Sequence, residues 1–162
     1  MKVDEDSINK FIAQLEEVSD ELAEYFADAI ADYILQKAQE YLENGPLENS
    51  RNPYGGATNT GTLKRSGVVL NEVKKRIVGF GAEYAPYIEY GTPPHWIPAR
   101  PLLKWAKQNR IKNPWAIVKA IQKRVASEGT PPKPFLRQAI ESAISNADQI
   151  MDEAVAEFLS NL

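Results

Sequence analysis

Between residues 7 and 43 an apolar side chain recurs every third or fourth position, and this spacing constrains the fold more than any other feature of the chain. Ile8, Phe11, Leu15, Val18, Leu22, Phe26, Ile30, Ile34, Ala38 and Tyr41 carry the stripe, and Glu16, Glu17, Asp20, Glu21, Glu24, Asp28 and Asp32 fill the opposite side. The period predicts one long amphipathic helix. Ser7 is placed to cap its start. Asn44-Gly45-Pro46 ends it, because proline cannot continue a helix. Most of such a helix's stability comes from what packs on its apolar side, so the rest of the chain has to supply a cover.

Residues 44–61 cannot supply it. Asparagine, serine, threonine, glycine and proline dominate there, and a surface loop is expected. Thr62-Leu63-Lys64-Arg65-Ser66 reads as a single helical turn. Val68-Val69-Leu70 and Arg76-Ile77-Val78-Gly79-Phe80 read as an antiparallel hairpin. Residues 84–90 predict a short helix ended by Gly91, which supplies a positive φ. Prolines 93, 94, 98 and 101 enforce an extended path into a helix over 102–109. Asn113-Pro114 starts another, with Trp115, Ile117, Val118, Ile121 and Val125 as its apolar side and an end before Gly129. Pro131, Pro132 and Pro134 form a second strap. It leads into a last helix over 135–159, with Leu136, Ile140, Ile144, Ile150, Met151, Val155 and Leu159 as apolar positions. No internal repeat and no domain-splitting linker is read. Residues 1–162 are expected to form one α+β domain with a small antiparallel sheet.

The net charge of −3 conceals a partition. Residues 1–50 hold 13 acids and 3 bases, residues 51–137 hold 4 acids and 16 bases, and residues 138–162 hold 5 acids and no base. Acidic helices covering a basic sheet would explain it within one molecule. Opposite patches also favour head-to-tail contacts between copies, which close into rings when the rotation permits. A basic middle, with Lys64, Arg65, Lys74, Lys75 and Arg76 on or near the hairpin and Arg100, Lys104, Lys107, Arg110 and Lys112 after it, could instead face DNA phosphates or an acidic partner, with Lys64, Lys74, Lys75 and Arg76 as the candidate contacts.

Catalytic chemistry finds little to work with. The chain has no cysteine and one histidine, which removes thiol nucleophiles, thiolate metal sites and multi-histidine metal sites. No cofactor or metal is expected. Glu89, among Tyr87, Ile88 and Tyr90, has no second carboxylate nearby in sequence, and pairing with Arg65 or Arg100 is the expected role. Trp105 and Trp115 are read as core, Trp96 as an interface residue. The acidic start, Met1-Lys2-Val3-Asp4-Glu5-Asp6, does not look like a signal peptide, and no apolar run approaches the roughly 20 residues of a membrane helix. Assembly in the cytoplasm is expected, with no membrane partner.

Three motifs combine in order. The first is Thr60-Gly61-Thr62-Leu63-Lys64-Arg65-Ser66, ahead of the hairpin. The second is Tyr84-Ala85-Pro86-Tyr87-Ile88-Glu89-Tyr90-Gly91-Thr92-Pro93, and the third is Pro132-Lys133-Pro134-Phe135-Leu136-Arg137-Gln138-Ala139-Ile140. This order resembles the tail-completion, or virion-morphogenesis, family of long-tailed phages. Lys133 stands where that family often has arginine. Residues His95 to Glu128 form an insert that many relatives lack, and Ile97-Pro98-Ala99-Arg100-Pro101-Leu102-Leu103 looks like an earlier near-copy of the strap. The resemblance implies a non-enzymatic structural protein of the virion neck, from an active phage or a provirus. It would form a ring between a connector or head-closure protein and a tail-tube or tail-terminator protein, with transient contact to DNA in the lumen. It also implies long N- and C-terminal helices packed on a small sheet, with the two inserted helices added. Leu63, Arg65, Ser66, Tyr84, Ala85, Tyr87, Glu89, Gly91, Thr92, Trp96, Arg100, Pro134, Phe135 and Leu136 are the interface or structural residues it points to. The alternative is a small non-specific DNA-binding protein that uses the basic middle.

Overall fold

The computed structural model describes residues 5–44, 61–72 and 75–161, with side chains from Asp20 onward. Seven helices and two strands occur among them: α1 (Glu5–Asn44), α2 (Thr62–Arg65), β1 (Gly67–Glu72), β2 (Lys75–Phe80), α3 (Ala85–Tyr90), α4 (Ala99–Gln108), α5 (Pro114–Glu128), α6 (Phe135–Ser145) and α7 (Ala147–Ser160). The class is α+β, as the sequence predicts. The expected cap at Ser7, the loop over 45–60 and Lys74 lie outside the described residues or side chains.

The chain forms two compact units where the sequence reading expected one domain with an insert over 95–128. The first comprises Met1–Ala82 and Phe135–Leu162, the second Glu83–Pro134. In the first unit α1 is the spine, and α6, α7 and the hairpin pack along it. Its buried positions are Ala31, Ala38 and Leu42; only Ala38 is on the predicted stripe, whose Ile30, Ile34 and Tyr41 are half-buried beside them. The strands pair antiparallel from Gly67↔Phe80 to Glu72↔Lys75. A two-stranded ribbon is marginal alone, so α1 has to support it. Gly67 allows the close approach: a Cβ there would lie 2.7 Å from Leu35 Cδ1. Phe80 meets Phe135 edge to face at 5.0 Å, tying β2 to the start of α6.

The last predicted helix is two helices, broken at Asn146. The Asn146 side-chain amide donates to the Ser142 carbonyl at 2.7 Å, the same carbonyl its backbone N–H uses at 3.0 Å. A short polar side chain that competes for backbone acceptors interrupts a helix at that point. Its expected apolar face also needs correction. Ile140, Ile144, Met151 and Leu159 are exposed, Ile144 by 72%, whereas Phe135, Ala139, Ala143, Ile150 and Ala154 are buried. α6 lies against α1, which buries Ala31 and Ala38. Small side chains let helix axes approach, and packing shape outranks hydrophobicity in choosing the inner face. Tyr33 and Ser142 hydroxyls bond across the two helices at 3.1 Å.

In the second unit α4 packs against α5. Ala106, Val118 and Val125 are buried, and Gln122, also buried, donates through Nε2 to the Ile97 carbonyl at 2.8 Å. Asn113 Oδ1 accepts from the Ala116 N–H at 3.2 Å and Pro114 opens α5, the predicted cap. Trp115 does not join this core. It is 58% exposed, one turn ahead of Val118 in the first turn of α5. Trp105 is half-buried on α4.

Candidate functional site

The segment 84–94 is half clasp and half surface. α3 ends on Gly91, at φ 74° and ψ −173°, and α5 ends on Gly129, at φ 77° and ψ −160°. That region of backbone space is essentially reserved for glycine. The next residues, Thr92 and Thr130, form an isolated antiparallel bridge. Each donates its N–H to the other's carbonyl, at 3.0 and 3.1 Å, and their hydroxyls bond at 2.7 Å. Prolines 93 and 131 follow, so no further N–H is available there and the bridge stays one pair long.

The symmetry has its origin in the sequence. Gly91-Thr92-Pro93-Pro94 recurs unchanged as Gly129-Thr130-Pro131-Pro132. The expectation of no internal repeat is corrected: the two copies bracket the insert and pair with each other. A Cβ on Gly91 would lie 2.4 Å from the Thr130 oxygen, and one on Gly129 would lie 1.9 Å from the Thr92 oxygen. Each glycine makes room for the other copy's carbonyl.

Further bonds close the second unit. The Lys133 N–H donates to the Ile88 carbonyl at 2.8 Å, and the His95 N–H to the Val125 carbonyl at 3.2 Å. His95 Nδ1 lies 2.9 Å from the Pro93 oxygen, so it carries the proton and donates. The lone histidine is thus engaged in the clasp. Burial pushes the Lys133 amine below its ordinary range. Glu89 is buried and has a partner. Tyr84, Tyr87 and Trp96 are exposed, Trp96 by 70%, and Arg100 is exposed at the start of α4.

The motif residues of the first unit are structural parts. Leu63 is buried, and Phe135 is buried at the start of α6, with Leu136 half-buried beside it; Pro134, the last residue of the second unit, is half-buried. Ser66 Oγ donates to the Leu63 carbonyl at 2.7 Å and accepts from the Ala82 N–H at 3.2 Å. Arg65 has a partner, and its guanidinium lies over Gly61, where a Cβ would meet Nη1 at 2.9 Å. Ala85 is buried at the start of α3 in the second unit.

The cations named for the hairpin are largely engaged. Lys64 pairs with Glu43, and Lys75 reaches Glu72 at 3.6 Å. Arg76 grips α1 through Asp28 and Glu24, with Nη2 at 2.6 Å from Glu24 and 3.0 Å from Asp28. The bond to Arg76 holds the Asp28 carboxyl below the ordinary aspartate range, and the two carboxylates hold Arg76 protonated.

Among the described residues no cluster of three or more His, Asp or Glu side chains could hold a metal ion. Nor is any helix among them long and apolar enough to cross a membrane. Comparison with protein-family models, with curated proteins and with solved structures returns no match.

Proposed function

We propose that this chain is a structural protein of a phage neck, joining or completing the tail at the head–tail connector as a ring, without turnover. The reading rests on the ordered motifs and on how the fold uses them. Leu63, Ser66, Gly91, Thr92 and Phe135 serve as core, cap or clasp rather than as convergent reactive groups. One observation carries it: the outer surfaces differ in sign and each exposes large apolar side chains. α6 and α7 expose Ile140, Ile144 and Met151 among Glu141, Asp148 and Asp152. The second unit exposes Tyr87, Trp96 and Trp115 among lysines and arginines. Surfaces of that composition suit association with neighbours, copies or neck partners, by charge and apolar contact together.

Deletion of the reading frame from its source virus, with lysates viewed by negative-stain electron microscopy, tests the proposal. Full heads beside unattached or malformed tails are expected. Intact, infectious particles would remove the neck role.

A further inference from the structure

The basic excess of the chain is left unneutralised in one place. Every described base of the first unit has a partner: Lys37, Lys64, Lys75 and Arg76 are in ion pairs, and Arg65 and Arg137 also have partners. The second unit behaves differently. Residues 83–134 hold nine lysines and arginines against three acids. Of those acids Glu89 is buried and Glu128 is bonded by Arg124. Lys104 and Lys107 on α4, Arg110 and Lys112 in the turn after it, and Lys119 and Lys123 on α5 are all exposed, and none is ion-paired among the described residues. Like charges held together on a small unit oppose its folding and need an anionic partner to offset them.

The outer face of α5 has the shape and chemistry to take one. Lys119 and Lys123 stand one turn apart, with exposed Ala116, Ala120 and Ser127 beside them, so the face has low relief. Trp115, 58% exposed, stands in the first turn. Trp96, 70% exposed, lines an open cleft of about 530 Å³ with Lys119, Lys123 and Ser127. The stretch of α5 from Trp115 to Ala126 is roughly 17 Å long at 1.5 Å per residue. A basic strip between two uncovered indoles matches a strand whose phosphates are periodic and whose bases offer flat faces. A duplex hides those faces, and a purely acidic chain offers no flat face to stack on the indoles.

Arg110 adds an independent observation. It adopts φ 54°, the left-handed position where helices usually place glycine. Its N–H donates to Lys107 and that of Ile111 to Ala106, both at 3.0 Å. A long cation sits where glycine would be unstrained, just before the Trp115 end of the face.

We propose that the α5 face of the second unit binds single-stranded nucleic acid, with phosphates on Lys119, Lys123, Arg110 and Lys112 and unpaired bases stacked on Trp115 and Trp96. This site lies within the basic middle of the sequence but on α5 rather than on the hairpin cations Lys64, Lys74, Lys75 and Arg76.

Fluorescence anisotropy with the full chain and a labelled oligothymidylate tests it, with the matching duplex and polyglutamate as competitors. Micromolar binding is expected, with a log–log salt slope of about −3 for four phosphate contacts. Trp115→Ala and Trp96→Ala should each weaken binding about five-fold or more, while Trp115→Phe keeps it. Lys119→Glu with Lys123→Glu should weaken it further and flatten the salt slope. These positions are exposed, and circular dichroism checks that each variant is folded. No binding at low salt would overturn the proposal. So would binding indifferent to both tryptophans, or a duplex or polyglutamate competing as well as the strand. The last two results would assign a bare phosphate face or an acidic-protein face instead. The assay uses isolated protein, so its failure would leave the neck reading standing.

Discussion

Thr92 and Thr130 exchange both backbone hydrogen bonds, at 3.0 and 3.1 Å, although 38 residues separate them. Each follows a glycine whose missing Cβ admits the other's carbonyl. The pair closes a loop that holds all of α4 and α5, and each threonine is followed by proline.

The clasp predicts strong glycine sensitivity. Gly129→Ala and Gly91→Ala would force a Cβ to 1.9 and 2.4 Å from a carbonyl oxygen in addition to a disfavoured φ. A loss of about 3 kcal/mol or more is expected for each by chemical denaturation. Gly79→Ala is the control. Its Cβ would meet nothing within 4 Å, and stability should change by less than about 1 kcal/mol. Equal effects at all three positions would dismiss the clasp.

The threonine hydroxyls should be coupled. Thr92 Oγ1 lies 2.7 Å from Thr130 Oγ1 and also accepts the Thr130 N–H at 3.2 Å. In a double-mutant cycle, Thr92→Val and Thr130→Val should each cost about 1 kcal/mol, with an interaction energy of about 0.5–1.5 kcal/mol. Simple additivity would mean that the hydroxyls act separately.

Legibility in the sequence followed local rules. The Asn113-Pro114 cap, the glycine end of α3 and the hairpin are each dictated by a few adjacent residues, and all appear where predicted. What the reading missed depends on neighbours. Ile144 has the right residue type for a core, but α6 turns Ala139 and Ala143 inward because of what α1 offers. Trp115 suits the apolar side of α5, but it is left 58% exposed while Ile117 in the same turn is half-buried. Arg76 pairs with Glu24 and Asp28 on α1, an acidic helix against a basic strand, but which acids it takes is set by the fold, at sequence separations of 52 and 48. The Gly-Thr-Pro-Pro repeat was legible and overlooked, since each copy alone reads as a helix stop.

The inner face of α6 is open to a direct test. Ala139 is 0% exposed, and Ala139→Leu would overfill the contact with α1. A loss of about 1–3 kcal/mol is expected. Ile144→Ser, at a position 72% exposed, should change stability by less than about 0.5 kcal/mol in the isolated protein. The reverse order in thermal melts would restore the sequence-based face.

Acid should loosen the hairpin from α1. The Arg76 bond depresses the folded pKa of Asp28, so the folded state holds its proton less tightly than the unfolded chain. The stability this supplies is present above the unfolded value, about 3.9, and is lost as pH falls through the lower folded value. Denaturation midpoints should therefore drop below about pH 4. Asp28→Asn should start less stable at pH 7 and fall less steeply. Parallel pH curves for the two proteins would exclude this pair as a source of the acid sensitivity.

Arg110 should be the position where stability and binding part company. Its left-handed φ of 54° costs an ordinary residue about 1 kcal/mol and costs glycine almost nothing. Glycine gives part of that back through the greater freedom of the unfolded chain. Arg110→Gly should therefore raise stability by about 0.5–1 kcal/mol in urea unfolding while removing one exposed cation of the turn before α5. Arg110→Ala separates the two effects, because it deletes the charge and keeps the strain. If Arg110→Gly is instead destabilising, the guanidinium makes a folded-state contact worth more than the backbone strain, and its place on the α5 face would have to be given up.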